Sequence, residues 1–444
     1  MKKQKKRRRI SAGTLAMLLL TGAVLAACAG FMALIAGEEM ASRASETLEM
    51  VREAGVTLIS EEESERLRQE ERRPVVTAAV MPAQSQQEAT PAPRTMNATT
   101  FTIAAAGSVH APKAIRLGAM SEAGEYDFTQ VFDGLGDVLG EADLAIATLE
   151  TMTAGEKKGY GNYNAPVQLL DAMRASGIDL VSLGTERALD MGYDGLQITT
   201  AELTARGIAH AGAAVDGEGE QDASLIGIDG VQVAVLGYTY GLSGEGKEIT
   251  PESEWDAVST LSSELVIRQI RQARADGANV VIVLPHWGTK NKQETPEEVR
   301  RMARMLAEAG ADVILGTHPN VVQGTERLRV TRADGLEYES VVCYSLGSLL
   351  TDARTEENTA GMIAHLQISY DPQTRRVSLG SLACSPVYIA REKEDGQNVY
   401  RVVDVENAGA MAQLSESERQ EALAAAKRVR EITGQSDMED EGQG

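Results

Sequence analysis

From Thr99 onward, short apolar runs alternate with amphipathic stretches, and this alternation constrains the fold more than any other feature of the chain. The runs are short and rich in β-branched residues, which is typical of buried strands, whereas the stretches between them have helical spacing. Strands that alternate with helices predict an α/β domain with largely parallel strands. The predicted strands include Phe101–Ala106, Leu144–Thr148, Ile178–Leu183, Val231–Gly237, Val280–Leu284, Val313–Leu315 and Val341–Tyr344, and the predicted helices include Pro166–Ser176, Leu196–Arg206 and Glu264–Ala275.

Two further helices are predicted from their terminal residues. In the segment 296–309, Thr295 is the predicted N-cap, Pro296 is the first helical residue, Glu298 completes a capping box, and Gly310 ends the helix. The segment Glu416–Ile432 is rich in Ala, Arg and Glu, and its predicted N-cap is the preceding serine. The second helix follows the last predicted strand.

The N-terminal 37 residues predict a basic cytoplasmic tip and a signal anchor. Seven of the first nine residues are Lys or Arg, and an apolar stretch from Ile10 to Ala36 follows them. At about 1.5 Å per residue, this stretch is long enough to cross a bilayer core of roughly 30 Å. The basic flank predicts a single-pass protein of the cell membrane whose C-terminal domain is extracytoplasmic. The alternative is a lipoprotein acylated at Cys28, because Leu25-Ala26-Ala27-Cys28 resembles a lipoprotein signal box.

Composition divides the rest of the chain and excludes one class of partner. Residues 38–98 form a predicted stem or linker, partly disordered, whereas 99–400 form the α/β domain and 401–444 a C-terminal helix with an acidic tail. The net charge of −22 argues against binding to nucleic acid, because a strongly acidic surface repels phosphate. Cys343 and Cys384 are predicted to be buried thiols, with a disulfide as the alternative.

Two histidines follow predicted strands at the positions where α/β sheets place ligand-binding residues. His286 and Trp287 follow Val280–Leu284, and His318 follows Val313–Leu315. The strand holds the backbone in place, and the loop frees the side chain to contact a ligand. Neutral imidazoles at such positions favour a metal site or phosphate chemistry. The alternative is a pair of structural histidines that bond to neighbouring carbonyl groups.

Six segments, in order, resemble the CapA family of capsule and poly-γ-glutamate synthesis proteins. They cover Thr102 to about Asp352 and read TIAAAGSVHAPKAI, EADLAIATLETMTAG, YNAPVQLLDAMRASGIDLVSLGTERALDMGYDGL, LPHWG, AGADVILGTHPNVVQG and YSLGSLLTD. The resemblance implies a metallophosphatase-like layered sheet-and-helix domain. It also implies a pocket in which carboxylate, imidazole and amide groups hold metal ions.

Several positions of this implied metal site carry unsuitable residues. The family's opening Asp is Ser108 here, or Ala106 in another register, and the remaining substitutions are Thr148, Thr185, Glu186, Arg187, Asn320 and Ser348. Arg187 stands where the family has a histidine, and its permanent positive charge repels a metal ion. The matching positions that keep suitable side chains are His110, Glu150, Asp190, His286 and His318. Tyr163 and Asn164 fall where the family has a loop over the pocket, and we interpret them as solvated loop residues.

Two functions of different class therefore remain. The first is a membrane-anchored exopolymer assembly protein whose pocket binds an anionic exopolymer, or a component of the membrane-bound synthesis machinery, without metal catalysis. The second is a divalent-metal hydrolase in which His110, Glu150, His286 and His318 hold one zinc or manganese ion. No catalytic residue is assigned, and no cofactor is expected under the first hypothesis. The candidate pocket residues are His110, Glu150, Thr185, Glu186, Arg187, Asp190, His286, Trp287, His318 and Asn320.

Overall fold

The computed structural model describes residues 97–215, 223–394 and 396–435. The predicted anchor, nearly all of the predicted stem and the acidic tail lie outside these residues. Within the three ranges, every helix is too short or too polar to cross a bilayer.

The described residues form fourteen strands and nine α-helices. The strands are β1 (Thr99–Val109), β2 (Leu144–Leu149), β3 (Leu180–Ser182), β4 (Ala209–Ala211), β5 (Ser224–Ile228), β6 (Val231–Thr239), β7 (Val280–His286), β8 (Val313–Leu315), β9 (Thr325–Thr331), β10 (Glu337–Cys343), β11 (Ser348–Leu350), β12 (Ala360–Asp371), β13 (Arg376–Glu394) and β14 (Gln397–Asp404). The helices are α1 (Lys113–Gly118), α2 (Thr129–Phe132), α3 (Gln168–Ala175), α4 (Gly192–Ala205), α5 (Gly244–Ile249), α6 (Ser263–Ala275), α7 (Glu297–Ala309), α8 (Ala408–Gln413) and α9 (Glu416–Thr433). Each of the seven predicted strands and five predicted helices corresponds to one of these elements. The predicted boundary at residue 400 falls within β14.

The strands form two mixed sheets. The first has the order β14-β13-β12-β1-β2-β3-β4, with β11 paired to β1, and the second has the order β5-β6-β7-β8-β10-β9. Parallel pairing runs from β1 through β4 and from β6 through β8 to β10. Antiparallel strands extend both sheets, so the prediction of largely parallel strands holds only for their central parts. Strands such as β9 were missed because many of their side chains are polar and partly exposed, which weakens the apolar signal.

The two sheets pack face to face, and helices cover their outer faces. The core between the sheets contains Ile103 of the first sheet and Ile282 of the second. Leu169 of α3 packs on the outer face of the first sheet, and Ile270 of α6 and Leu306 of α7 pack on that of the second. This helix–sheet–sheet–helix arrangement is the layered α/β fold expected from the sequence, and it buries apolar side chains on both faces of each sheet.

The N-terminus of α7 differs from its prediction. The helix begins at Glu297, and the N-cap is Pro296, whose ψ of 149° is extended. The Thr295 hydroxyl instead donates a 3.4 Å hydrogen bond to Oε1 of Gln323. Thr295 therefore joins two loops and does not cap the helix, whereas Gly310 ends the helix with a φ of 128°, as predicted. By contrast, the Ser415 side chain caps α9 by accepting from the backbone N–H of Glu418.

The carboxyl ends of the central parallel strands in both sheets lead to one site. His110, Glu150 and Glu186 follow β1, β2 and β3, whereas His286 ends β7 and His318 follows β8. The two sheets are linked here by a 3.3 Å hydrogen bond from the Thr317 hydroxyl to that of Thr148. Loops from different sheets can therefore place their side chains in one pocket.

Candidate metal and anion site

His286 and His318 are in direct contact. Nε2 of His286 lies 3.2 Å from Nδ1 of His318, and the two rings pack edge to face. The other nitrogen of His286, Nδ1, lies 3.1 Å from the Thr317 hydroxyl, which fixes the orientation of the ring. Burial lowers the pKa of His286 well below its usual value and that of His318 to about 4. Both imidazoles are therefore neutral near pH 7, as metal ligands must be.

Glu186 places a charged carboxylate beside this histidine pair. Its Oε2 lies 3.5 Å from Nδ1 of His318 and accepts a hydrogen bond from the Tyr240 hydroxyl. Its Oε1 lies 2.5 Å from Nζ of Lys290. Burial raises the pKa of Glu186, but the hydrogen bonds from Lys290 and Tyr240 outweigh burial and bring the pKa to about 2. Glu186 is therefore an ionised, buried carboxylate that the protein neutralises with its own ammonium group.

The potential metal ligands that converge differ from the set predicted from the sequence. Within the described ranges, one group of three or more His, Cys, Asp or Glu side chains brings its ligand atoms within 4.8 Å of one another, and it comprises Glu186, His286 and His318. Glu150 is adjacent but outside this group, with Oε1 3.9 Å from Nε2 of His286, and burial raises its pKa. His110 stacks on a tyrosine ring, and its Nε2 lies 3.1 Å from the Asn162 carbonyl oxygen.

The chemistry of this group fits one divalent cation. Two neutral imidazoles and one carboxylate suit zinc or manganese, whereas three ligands are too few for a bridged pair of ions. The ammonium group of Lys290 competes for the Glu186 carboxylate, so a bound ion would have to displace it. Glu186 was interpreted from the sequence as an unsuitable substitution, yet it is the carboxylate that reaches the imidazoles.

Arg187 lies beside the histidine pair and is held by its neighbours. Its guanidinium lies 4.1 Å above the centre of the Tyr163 ring, and its Nη1 lies 3.0 Å from Oδ2 of Asp190. Nε of Arg187 lies 3.4 Å from Oε1 of Glu186. Asp190 also accepts a hydrogen bond from the Ser243 hydroxyl. Although burial opposes its charge, the pKa of Arg187 is raised by Asp190, Tyr163 and Glu186, so the guanidinium remains a fixed cation.

Tyr163 and Asn164 are less solvated than the rest of their loop. Asn164 is fully buried, accepts from the Ala154 N–H at 2.9 Å, and donates to the carbonyl oxygens of Gly155 and Gly159. Its neighbour Tyr163 is half-buried because its ring contacts both Arg187 and His110. The interpretation of both residues as solvated was therefore wrong, since side-chain hydrogen bonds and ring stacking order this loop.

The remaining candidates have different surroundings. Trp287 packs into the core beneath α7, and its indole N–H donates to the Tyr344 carbonyl oxygen at 3.0 Å. Thr185 is fully buried beside Glu186. Asn320 has a φ of 62°, and its carbonyl oxygen accepts a hydrogen bond from Asn358. Trp287 therefore supports the site from behind and does not line the pocket.

Lys290 and Tyr240 belong to the site and were not predicted. Tyr240 directly follows β6, so the rule that selected the histidines, a side chain just past an apolar run, would also have selected Tyr240. Lys290 lies four residues beyond His286 in a loop without a distinguishing pattern. Its position could not be inferred, because a loop without regular secondary structure places its side chains according to tertiary contacts.

The sequence is similar to two capsule proteins. It is 29% identical over 177 residues to the PGA biosynthesis protein CapA of Bacillus subtilis (strain 168), covering 39% of this chain and 42% of the relative. It is 24% identical over 240 residues to the capsule biosynthesis protein CapA of Bacillus anthracis, covering 51% and 55%. The chain thus spans about half the length of these relatives.

The fold has weaker similarity to solved structures. A Haemophilus influenzae NAD nucleotidase matches with a TM-score of 0.40 and 13% identity, covering 75% of this chain and 63% of that one. The Bacillus subtilis calcineurin-like phosphoesterase YfkN matches with a TM-score of 0.36 and 12% identity, covering 75% and 100%. Scores of this size support no conclusion about the chemistry of this chain.

The family match covers more than half of the chain. Residues 79–353 match the family described as bacterial capsule synthesis protein PGA_cap, and this range contains every candidate pocket residue named above. The chain belongs to the PGA_cap family of bacterial capsule synthesis proteins.

Proposed function

We propose that this chain is a membrane-anchored, extracytoplasmic protein of capsule or poly-γ-glutamate-type polymer assembly, whose pocket binds an anionic group without metal-dependent hydrolysis. The observation that carries the proposal is the 2.5 Å contact between Nζ of Lys290 and Oε1 of Glu186. The Lys290 ammonium group is paired with the Glu186 carboxylate, which a metal ion would require as a ligand. The negative charge of Glu186 is thus balanced by Lys290 without a metal ion.

The two cations at this site retain capacity for an anionic ligand. The Lys290 side chain is 40% exposed, and its ammonium group has three N–H donors, of which Glu186 engages one. The planar guanidinium of Arg187 is partly exposed and matches carboxylate geometry. Tyr240, 54% exposed, offers an aromatic surface beside both. A chain of repeated carboxylates would meet two positively charged donors and an aromatic wall.

The proposed location and partners rest on the sequence and the family. The basic tip and apolar stretch of residues 1–37 favour a signal anchor, with acylation at Cys28 as the alternative. Membrane-bound enzymes of polymer synthesis are then the natural partners. Protease protection in intact cells and mass analysis of the mature N-terminus test these two points directly.

Calorimetric titration of the protein with a poly-γ-glutamate oligomer tests the anion-binding proposal. We expect Arg187→Gln and Lys290→Met each to weaken binding by about tenfold, which corresponds to about 1.4 kcal/mol. Lys292→Met is the matched control, because Lys292 is an exposed cation two residues from Lys290. Absence of binding by the unaltered protein, or equal losses in all three variants, would contradict the proposal.

The convergence of Glu186, His286 and His318 favours a second candidate, a single-metal hydrolase. These residues would hold one zinc or manganese ion, with Thr317 orienting His286. The bound ion would supply Lewis-acid polarisation of a phosphoryl oxygen. Elemental analysis of the purified protein distinguishes the candidates. One retained equivalent of metal, lost in His286→Ala and His318→Ala, would favour the hydrolase.

A further inference from the structure

Two loops that carry site residues contain most of the unusual backbone conformations in the described residues. Among the described residues, five non-glycine residues have a positive φ. Three of the five lie in these two loops: Asn291 at 58°, His318 at 97° and Asn320 at 62°. Such conformations cost free energy and persist only where surrounding contacts hold them. Asn291 directly follows Lys290, so both loops lie at the proposed anion site.

Asn358 contacts both loops. Its side-chain Nδ2 donates one hydrogen bond to Oδ1 of Asn291 at 3.1 Å and another to the Asn320 carbonyl oxygen at 3.0 Å. The Asn320 carbonyl can only accept, so the amide orientation of Asn358 is determined. Its Oδ1 accepts from the Thr355 hydroxyl, and Asn358 is buried, with 3% exposure. One amide group thus bridges the loop after β7 and the loop after β8.

The two loops also contact each other directly. The backbone N–H of Asn291 donates to the Pro319 carbonyl oxygen at 2.8 Å. This bond and the two from Asn358 form a closed set that fixes Lys290 relative to His318. The ionised Glu186 lies between them, 2.5 Å from Nζ of Lys290 and 3.5 Å from Nδ1 of His318.

The turn that carries Asn358 is itself held by α9. Arg428 of α9 donates to Oε1 of Glu356 at 2.6 Å and to its carbonyl oxygen at 3.0 Å. Arg354, at the start of the turn, donates to the Ile389 carbonyl oxygen at 2.6 Å and lies 3.8 Å from Oε1 of Glu418 on α9. Turn and helix both lie beyond residue 353, where the family match ends.

We propose that Asn358 is a positioning residue that sets the distance between Lys290 and the histidine pair, and that α9 braces it. The inference rests on the proposed function only in taking this pocket to be the functional site. The C-terminal segment is then part of the site's construction, although the contacts of its described residues with the site run through the turn that carries Asn358. We expect loss of Asn358 to leave the Asn291–Pro319 backbone hydrogen bond as a remaining link between the two loops, which loosens them while both sheets stay intact.

Hydrogen exchange of the full-length protein, followed by mass spectrometry without any ligand, tests this inference. Asn358→Asp keeps the shape and the acceptor oxygen but removes both donors, and Asn358→Ala removes the whole amide. We expect the Asn291 amide to exchange at least tenfold faster in both variants, with unchanged exchange along β7. Arg428→Ala should also accelerate exchange of the Asn291 amide, but by a smaller factor.

Asn407→Ala is the matched control, because it also removes a side-chain amide. The Asn407 side chain caps α8 by accepting from the Ala410 N–H at 3.1 Å, far along the chain from both loops. Wild-type exchange at Asn291 in the Asn358 variants, or equal acceleration along β7, would overturn the inference. A failure of the proposed function is separable, because it appears as missing poly-γ-glutamate binding by the unaltered protein while the exchange result stands.

Discussion

Lys290 and Glu186 form an ion pair that joins the two sheets across the pocket, with Nζ 2.5 Å from Oε1. Glu186 follows β3 of the first sheet, and Lys290 follows β7 of the second, 104 positions later in the chain. The pair keeps a buried carboxylate ionised beside two neutral imidazoles. Under the proposed function, we expect this ion pair to disfavour a metal ion and to leave Lys290 as the cation of the pocket.

Removal of the ammonium group should convert the pocket into a better metal site. In Lys290→Met, a metal ion no longer competes with an ammonium group for the Glu186 carboxylate. The ion also no longer meets a positive charge at about 4 Å, a repulsion on the order of 4 kcal/mol near a protein surface. We expect the affinity for zinc, measured by calorimetric titration with the metal alone, to rise at least about tenfold. Lys292→Met should leave it unchanged, and equal zinc binding in both variants would show that Lys290 does not compete.

The Tyr163 ring should contribute to anion binding by holding Arg187 in place. Tyr163→Phe keeps the ring that Arg187 and His110 contact, whereas Tyr163→Leu removes it. A cation–π contact of this kind is worth about 0.5–2 kcal/mol. Titration with poly-γ-glutamate should therefore show near-normal affinity in the Phe variant and a loss of about 2–30-fold in the Leu variant. A larger loss in the Phe variant would indicate that the hydroxyl, not the ring, is required.

Stability should depend strongly on Asp312, far from any proposed ligand. This buried carboxylate lies 2.6 Å from Nη2 of Arg274 and 3.0 Å from Nη2 of Arg332, and it accepts from the Val281 N–H. Asp312→Ala removes the carboxylate partner of both arginines, although each keeps backbone carbonyl acceptors, so we expect urea denaturation to show a loss of roughly 3 kcal/mol. The exposed Asp276→Ala control should change stability by less than about 0.5 kcal/mol. A small loss in Asp312→Ala would mean that water replaces the ion pairs.

Cys343 and Cys384 should resist alkylation in the folded protein. Both are free and buried, as predicted; burial raises the pKa of Cys343 well above its usual value and that of Cys384 to about 12. Because each thiol is protonated in the folded state, its contribution to stability is complete below the unfolded pKa of about 8.5 and is lost as pH rises towards 12. Peptide-level mass spectrometry at pH 8 should find label at these positions only after denaturant is added. Rapid labelling without denaturant would show that the core between the sheets opens.

Much of the fold was predictable from local pattern. The strands that end in His286 and precede His318 are short β-branched runs, and buried parallel strands are apolar on both faces. The antiparallel strands β9 and β14 escaped prediction because their exposed positions carry polar side chains that interrupt the runs. Of the two predicted helix N-caps, the one that depends on a local hydrogen bond was correct and the other was wrong. Ser415 bonds to a backbone N–H three residues away, whereas Thr295 found a partner in a distant loop.

The candidate site was predictable in location but not in composition. The strand pattern placed His286 and His318 just past strands, and the family resemblance added His110 and Glu150. The structure brings the carboxyl ends of these strands together. Neither the strand pattern nor the resemblance indicated that Glu186, rather than Glu150, would join the histidine pair in the group of potential metal ligands.

The sequence by itself determined which residues lie at the ends of buried strands, because strand formation follows from the local period of apolar side chains. Only the tertiary structure decided which of those residues meet. Lys290 reaches Glu186, and Asn358 reaches Asn291 and Asn320, across a gap that closes only when two sheets pack face to face. Side-chain direction and loop conformation at that gap depend on packing between segments 38 to 104 residues apart, so no local pattern encodes them.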